Sequence, residues 1–306
     1  MKGGATMEPS GVIIINKPEG MTSHDVVNKM RRLFSTRRVG HTGTLDPMAT
    51  GVLVVLIGRA AKAAEYLSSD EKGYIATLRL GTTYDTEDVT GTPISSTSNI
   101  PCEDSVYSAI NGFVGDILQV PPMYSALKVN GQKLCDLARK GVEIEREARP
   151  VTVFSIDAKK GELPTDYILS VKCSAGTYIR TLCADIGASL CCGGAMATLC
   201  RTLAGGFSIE NAHTLDELES LSLDERLSLL IPTESLFSNL GSVNLPAFYE
   251  KLCRNGCEIY LNKIKSSLAL GERVRLCSQS GEFFALGEVR EYDSGLAIKA
   301  IKLFDI

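Results

Sequence analysis

The spacing of apolar and polar residues predicts a long first part of mixed helices and strands. An apolar run within 11–16 and a β-branched run at 52–57 are typical of buried strands. Between them, apolar positions recur at helical spacing up to Phe34, and Ser23 is a candidate N-cap. The same reasoning predicts further strands at 74–80, 151–158 and 167–173, and short helices at 59–67, 177–190 and 214–221.

The pattern changes after residue 235. The segment 235–244 is rich in serine, asparagine and glycine and is the best linker candidate. Beyond it, short strands at 273–277, 283–289 and 297–303 are separated by glycine-containing turns. The sequence therefore predicts a flexible tail over 1–10, a mixed α/β domain over 11–237 and a small β-rich domain over 240–306.

Composition narrows the class of protein. Of the 306 residues, 44% are hydrophobic, as in ordinary globular domains. There is no apolar run long enough for a membrane span and no signal-peptide core, so we expect a cytoplasmic protein without membrane contact. The ten cysteines form no C-x-x-C pair and the three histidines are scattered, so we expect reduced thiols and no metal site.

The charge distribution favours a nucleic-acid partner more than the net charge of −4 does. Acids gather between residues 210 and 225, whereas Asp46 is the single acid between residues 26 and 64. This stretch, called the basic segment below, contains seven cations: Lys29, Arg31, Arg32, Arg37, Arg38, Arg59 and Lys62. A basic face on an acidic body is the expected result.

The segment 40–51 carries the candidate chemistry. Its three glycines and Pro47 predict a loop without regular structure, and loops on a stiff scaffold often hold catalytic groups. Asp46 lies in this loop among the cations of the basic segment, which we expect to keep its carboxylate ionised and ready to act as a nucleophile or base. The alternative is that Asp46 only stabilises a turn before Pro47.

Residues 40–62 read GHTGTLDPMATGVLVVLIGRAAK and closely resemble the signature of the TruB family of tRNA pseudouridine synthases. Segments that resemble the other motifs of this family follow in the expected order, at 15–27, 72–91, 121–141 and 174–187. The resemblance covers roughly residues 11–235. It implies a pseudouridine synthase fold, with a central, largely antiparallel sheet and the active site in a cleft.

The resemblance also implies roles for individual residues. Asp46 matches the nucleophile, Arg180 the arginine that pairs with it, and Tyr74 the tyrosine that stacks on the target base and takes part in removing the proton from C5. The implied substrate-binding residues are Tyr178 and Leu199 in the pocket, His41 against the splayed T-loop, Lys17 behind the active-site loop, and Arg37 and Arg38 on phosphates.

Each of these residues also has a simpler interpretation. Tyr74 could pack at the end of a sheet, Arg180 could form a surface ion pair, and His41 could satisfy hydrogen bonds in a tight loop. Cys135 and Cys200 stand where the family has a tyrosine and an arginine, which affects expected RNA contacts but not the catalytic set. The region 240–306 resembles a PUA-type RNA-binding domain, although its nine basic and eight acidic residues give little support for RNA binding.

We therefore expect an isomerase that converts uridine 55 in the T-loop of tRNA to pseudouridine after flipping the base, without a cofactor. The expected partner is the T-arm stem-loop, bound by a monomer without an obligate protein partner. One alternative is a guide-RNA-dependent pseudouridine synthase, which would carry a long basic tail that this sequence lacks at Ile306. The other is a non-catalytic RNA-binding protein or tRNA chaperone, for which loss of Asp46, Tyr74 or Arg180 would be the sign.

Overall fold

Apolar runs that are buried on both faces form the centre of the molecule. The computed structural model of the chain describes residues 8–67, 71–125, 127–129 and 131–304. The strands are β1 (Gly11–Lys17), β2 (Val39–Thr42), β3 (Thr50–Ile57), β4 (Lys72–Leu80), β5 (Thr82–Tyr84), β6 (Pro93–Ser96), β7 (Gly115–Gln119), β8 (Lys128–Val129), β9 (Gln132–Lys133), β10 (Arg149–Lys160), β11 (Asp166–Cys173), β12 (Gly194–Ala204), β13 (Phe207–Ser208), β14 (Ser242–Asn244), β15 (Ile259–Tyr260), β16 (Arg273–Cys277), β17 (Phe283–Tyr292) and β18 (Gly295–Leu303).

A polar side chain binds a free backbone N–H group at the start of three helices, Ser23–Leu33, Leu215–Ser220 and Leu223–Ser228. Thr22, rather than the predicted Ser23, caps the first helix, in a capping box that it shares with Asp25. The prediction was one residue late because Ser23 is buried and its hydroxyl is used elsewhere. The helices are α1 (Ser23–Leu33), α2 (Glu103–Asn111), α3 (Leu134–Ala138), α4 (Ile179–Ser189), α5 (Leu215–Ser220), α6 (Leu223–Ser228), α7 (Ala247–Arg254) and α8 (Leu261–Ile264).

The large sheet has the strand order β1-β3-β12-β4-β11-β10-β7, with β2 paired to β3 and β13 paired to β12. Every pairing in it is antiparallel except that between β12 and β3. Buried side chains of α2 and α4 pack with those of β4 and β11 in one cluster. The predicted mixed α/β fold around a largely antiparallel sheet is confirmed, and β4 and β12 lie at its centre.

A second sheet has the order β14-β16-β17-β18-β15, which confirms the predicted β-rich C-terminal region. It joins the first part through an aromatic cluster, in which the ring of Phe237 lies 5.9 Å from that of Phe283 and 5.7 Å from that of Phe304. The connecting segment is shorter than the linker predicted at 235–244, since residues to Phe237 form a 3₁₀-helix and Ser242–Asn244 is a strand, which leaves residues 238–241 between them. The polar composition of that segment hid Phe237, which anchors it.

Two other predicted segments differ in detail. The helix expected at 59–67 is a 3₁₀-helix over Gly58–Tyr66. Residues 1–7 of the predicted flexible tail lie outside the described residues. Glu8 accepts a hydrogen bond from the hydroxyl of Thr36 and forms an ion pair with Arg38 at 3.1 Å.

Within the described ranges, no helix is long and apolar enough to cross a membrane. In the same ranges, no group of three or more His, Cys, Asp or Glu side chains is placed to hold a metal ion. All ten cysteines carry free thiols.

Candidate active site

A cavity of about 430 Å³ opens where β4 begins, between the Asp46 loop and the start of α4. Lys17, Arg37 and Arg38 do not line it. The other six residues predicted for the site do, although they come from distant parts of the chain: His41, Asp46, Tyr74, Tyr178, Arg180 and Leu199.

The loop that carries Asp46 is shorter than predicted. Val39–Thr42 forms β2 against β3, and β3 itself begins at Thr50, so residues 43–49 form the loop. Gly51 is required inside β3, because its φ is +97° and a Cβ there would lie 2.2 Å from the carbonyl oxygen of Arg201. The loop is therefore held at its far end by direct contact between two backbones.

Buried hydrogen bonds fix both neighbours of Asp46. The hydroxyl of Ser23 accepts from the backbone N–H of Leu45 at 2.8 Å and donates to its carbonyl at 3.1 Å. The backbone N–H of Gly20 donates to the carbonyl of Pro47 at 2.8 Å. Since residues 45 and 47 are both anchored, the direction of the Asp46 carboxylate is set by the fold.

Lys17 lies behind the same loop and is fully buried. Its ammonium donates to the carbonyls of Met21 at 2.6 Å, Pro18 at 2.8 Å and Pro47 at 3.2 Å. Burial lowers the pKa of Lys17 to about 8, and the charge of Asp46 acts in the opposite direction. Lys17 thus connects the end of β1 to the residue that follows Asp46.

Arg180 contacts Asp46 directly. Its Nε lies 3.0 Å from the Asp46 carboxylate and 3.9 Å from that of Asp88. The remaining guanidinium nitrogens donate to the carbonyls of Thr86 at 3.0 Å and Tyr124 at 2.7 Å. These bonds fix the buried guanidinium in one orientation, with two carboxylates beside it.

The charge environment of Asp46 differs from the one expected. Burial raises the pKa of the Asp46 carboxyl, Arg180 opposes this shift, and the negative charge of Asp88 adds to it. The main favourable charges come from Arg180 and Lys17, and neither belongs to the basic segment. The expectation that the basic segment keeps Asp46 ionised was therefore wrong, because neighbours in sequence need not face the pocket.

Tyr74 and Arg201 form the opposite side of the pocket. They are direct partners in the pairing of β4 with β12, and Arg201 is only 2% exposed. Burial raises the pKa of the Tyr74 phenol, and the charge of Arg201 opposes part of this shift. The sequence reasoning missed Arg201. One signal was available in the sequence. Arg201 lies two residues after Leu199, so in a strand both side chains point to the same, buried face.

The remaining pocket residues differ in how firmly they are held. The buried amide of Gln119 bonds both the N–H and the carbonyl of Tyr178, at 3.0 and 3.2 Å. Burial lowers the pKa of His41, whose Nδ1 is buried and has no hydrogen-bond partner among the described residues. The side chain of Leu199 is 8% exposed and forms an apolar part of the cavity wall. Gln119 was also missed, because its contact spans 59 residues of sequence.

Arg37 and Arg38 lie outside the pocket, on the exposed entry to β2. Arg38 pairs with Glu8, and its carbonyl accepts a hydrogen bond from Gly58 at 2.6 Å. Of the basic segment, Lys29 also has an acidic partner, Glu219, at 2.9 Å. Any contact of these cations with a nucleic acid would therefore be made at the surface around the pocket.

Two models of known protein families match consecutive segments of the chain. Residues 31–179 match the model of the TruB family pseudouridylate synthase N-terminal domain, and residues 180–238 match that of the tRNA pseudouridylate synthase B C-terminal domain. The boundary between the two matches falls immediately before Arg180, so residues from both matched regions meet in the pocket.

Individual relatives match over nearly the whole chain. The tRNA pseudouridine synthase B of Clostridium kluyveri is 42% identical over 295 residues, which cover 96% of this chain and 99% of that protein. The protein of the same name from Dechloromonas aromatica is 42% identical over 287 residues, or 93% of each chain.

A solved structure shares the fold. A chain in the crystal structure of a Cbf5-Nop10-Gar1 complex superposes with a TM-score of 0.72 and 26% identity, covering 96% of this chain and 84% of that one. The superposition extends beyond residue 238, where the two matched family models end. Given these matches, and relatives above 40% identical over more than nine-tenths of its length, the chain belongs to the TruB family of pseudouridylate synthases.

Proposed function

We propose that this protein converts the uridine at position 55 in the T-loop of tRNA to pseudouridine, with Asp46 as the nucleophile. The observation that carries the proposal is the 3.0 Å contact between Arg180 and Asp46 at the wall of a cavity of about 430 Å³. Family membership supplies the reaction type, an isomerisation of uridine. The substrate is proposed from the names of the relatives, which are tRNA pseudouridine synthases.

The reaction separates N1 of uracil from C1′, rotates the base in the pocket and joins C5 to C1′. Arg180 opposes the effect of burial on the Asp46 carboxyl and so favours the ionised form that attack requires. The anchored loop then holds that carboxylate in one direction, which lowers the entropy cost of reaching the reactive geometry. No redox change or group donor enters the balance, so the proposed reaction needs no cofactor.

The target base must leave its stack to reach Asp46, which costs a few kcal/mol. Stacking on the ring of Tyr74 would return about 1–3 kcal/mol. Leu199 and Tyr178 contribute to the cavity wall, and His41, which lines the same cavity, would contact the RNA loop. Arg37 and Arg38 would meet phosphates outside the pocket, which makes the affinity depend on salt.

The second sheet is proposed to extend the RNA-binding surface. It shares the aromatic cluster around Phe237 with the first part of the chain, so the two present one continuous body to a bound RNA. The domain bounds 11–237 and 240–306 remain our proposal. We also propose that the protein acts in the cytoplasm, as a monomer that needs no guide RNA and no second protein.

The test is a single-turnover assay with three RNAs at equal salt: the T-arm stem-loop, the anticodon stem-loop of the same tRNA, and an unstructured strand with the T-arm composition. We expect pseudouridine in the T-arm hairpin at the uridine that corresponds to position 55. The unstructured strand should react much more slowly, because binding would have to order it. Reaction of the anticodon hairpin but not the T-arm would overturn the substrate assignment. Asp46→Asn, which should bind the hairpin without modifying it, is the control.

A further inference from the structure

Arg201 occupies a place in the pocket that the proposed reaction has not yet used. The side chain is 2% exposed and lies directly across from Tyr74 in the sheet. Its Nε donates to the carbonyl of Val52 at 2.7 Å and its Nη2 to that of Gly43 at 3.0 Å. Arg201 and Tyr74 also line the same cavity, as cross-strand neighbours on β12 and β4.

The charge of Arg201 has no acidic partner. Within the described part of the chain, no carboxylate lies at ion-pair distance from it, and Tyr74 is the one group whose charge raises its pKa. Its charged neighbours include other cations, since Arg201 itself lowers the pKa values of Lys17 and His41. A buried charge without a counter-ion is costly, so a fold that keeps one is expected to use it.

The oxygen that can become an anion beside Arg201 is the phenol of Tyr74. We infer that Arg201 is a positioning residue that stabilises the phenolate of Tyr74, so that Tyr74 can remove the proton from C5 of the rotated uracil. This inference rests on the proposed function, and in particular on the role of Tyr74. It assigns to Arg201 a part in the last step of the reaction, separate from the attack by Asp46.

The proton balance of this step is simple. After C5 has joined C1′, C5 still carries its hydrogen. In that intermediate C6 is double-bonded to N1. The phenolate oxygen of Tyr74 takes the C5 proton, the electron pair of the C5–H bond becomes the C5=C6 double bond, and the pair of the C6=N1 π bond moves to N1, which accepts a proton. Pseudouridine therefore contains the same hydrogens as uridine, and Tyr74 returns to the phenolate when its phenol releases the proton to solvent.

The surroundings of Tyr74 as a whole raise the pKa of its phenol, which is why the charge of Arg201 matters. Burial in the pocket disfavours the phenolate, and the charges of Cys173 on β11 and Asp46 in the loop act in the same direction. Lys72, His41 and Tyr178 also line the cavity around the ring. Arg201 is the main influence that lowers the pKa of Tyr74. Without Arg201 the phenolate would have burial and its charged neighbours against it.

A structural role for Arg201 must be separated from this one, because Gly43 begins the Asp46 loop and Val52 lies in β3, shortly after the loop ends. Arg226 offers a matched control. It also donates to backbone carbonyls, those of Leu218 at 2.6 Å and Leu33 at 2.9 Å, but it does not line the pocket. Arg226→Gln should therefore lower stability and leave the chemistry of Tyr74 unchanged.

The experiment compares the wild type with Arg201→Gln, Arg201→Lys, Tyr74→Phe and Arg226→Gln in single-turnover reactions of T-arm RNA. Each is run with hydrogen or deuterium at C5 of the target uridine, across a range of pH. Removing charge support from Tyr74 should slow the C5 step and leave glycosidic cleavage intact. We expect Arg201→Gln to lower the rate at least tenfold, raise the C5 isotope effect and move the alkaline rise of the rate to higher pH. The rate and pH profile of Arg201→Lys should lie between those of the wild type and Arg201→Gln.

Fluorotyrosine at position 74 provides a second measurement that does not depend on the Gln variant folding. Fluorination lowers the pKa of a phenol without changing its hydrogen-bonding geometry greatly. In the wild-type background it should move the alkaline rise to lower pH, and in Arg201→Gln or Arg201→Lys it should restore part of the rate. A loop that is merely misplaced would gain nothing from a more acidic phenol.

The outcomes separate the inference from the function on which it rests. If Tyr74→Phe retains the wild-type rate and isotope effect, the proposed role of Tyr74 is wrong. If Tyr74→Phe is impaired but the Arg201 variants show an unchanged or smaller isotope effect and no fluorotyrosine rescue, Arg201 only holds the loop and the inference is overturned. An effect of Arg226→Gln on the pH profile equal to that of Arg201→Gln would also overturn it.

Discussion

The pocket is built around two buried arginines whose backbone surroundings are alike. Arg180 is 5% exposed and Arg201 is 2% exposed. Each donates to two backbone carbonyls from separate parts of the chain, at distances between 2.7 and 3.0 Å. The backbone therefore holds both guanidinium groups in the same manner.

The two arginines differ in the anion that each one faces. Arg180 lies beside two carboxylates, Asp46 and Asp88, whereas Arg201 faces only the phenol of Tyr74. Each arginine favours the ionised form of its partner, the carboxylate of Asp46 or the phenolate of Tyr74, against the opposing effect of burial. In the proposed reaction, one residue type would thus support a nucleophile on one side of the pocket and a base on the other.

The largest effect is expected from removing the anion on the Arg180 side. Asp46→Asn keeps the shape and polarity of the side chain but cannot act as a nucleophile. We expect the single-turnover rate to fall by more than a hundredfold, with circular dichroism and tRNA affinity unchanged. Residual activity above about a hundredth of the wild type would place the nucleophile elsewhere.

Removing the cation on the same side should have the next largest effect. Arg180→Met leaves the Asp46 and Asp88 carboxylates without their shared counter-charge, which raises the pKa of Asp46 further. The ionised form is lost as pH falls through that pKa, so the acid limb of the rate profile should move to higher pH. A rate that falls without any change in the acid limb would show that Arg180 does not act through the charge of Asp46.

The free energy of unfolding should also depend on the ionisation of Asp46. Because the fold raises the pKa of Asp46, folding favours its neutral form, and this contribution is lost as pH rises through the raised pKa. Arg180→Met should therefore destabilise the protein less at pH 4 than at pH 7, as measured by denaturant unfolding. Equal destabilisation at both values would indicate that the variant mainly loses packing.

A smaller effect is expected at Lys17, which supports the Asp46 loop from behind. Lys17→Met leaves the carbonyls of Met21 and Pro47 without their donor, which should lower the free energy of unfolding by about 1–3 kcal/mol. Loosening of Pro47 should also lower kcat about tenfold. Lys29→Met is the matched control, since its ion pair with Glu219 lies near the surface and should contribute less than about 1 kcal/mol. Equal costs for both variants would contradict the role of Lys17.

The smallest effect belongs to a cation outside the pocket. Arg37 is exposed, so Arg37→Gln should remove one phosphate contact and leave the rate for bound RNA unchanged. The slope of log affinity against log salt should decrease by about one. Lys159→Gln, on an exposed part of β10 away from the pocket, should leave the slope unaltered. A change of kcat for Arg37→Gln would place Arg37 closer to the chemistry than the structure does.

The sequence was most informative where a local pattern determines the structure. The runs around Ile14 and Val54, the glycine-rich loop and the resemblance of its motifs predicted the central strands, the fold and the residues that meet in the cavity. It failed where the outcome depends on long-range register. The contacts of Arg201 with Val52 and of Gln119 with Tyr178 join residues 149 and 59 positions apart, and no local spacing reveals them. The source of charge on Asp46 was misjudged for the same reason.

The measurement that tests the account most directly is pseudouridine mapping at nucleotide resolution in a full-length, unmodified tRNA transcript. The transcript is incubated with the wild-type protein and, separately, with Asp46→Asn. The account predicts complete conversion of the uridine at position 55, no conversion elsewhere, and none at all with the variant. Modification at another position would contradict the proposed substrate, and modification by Asp46→Asn would contradict the assignment of the pocket.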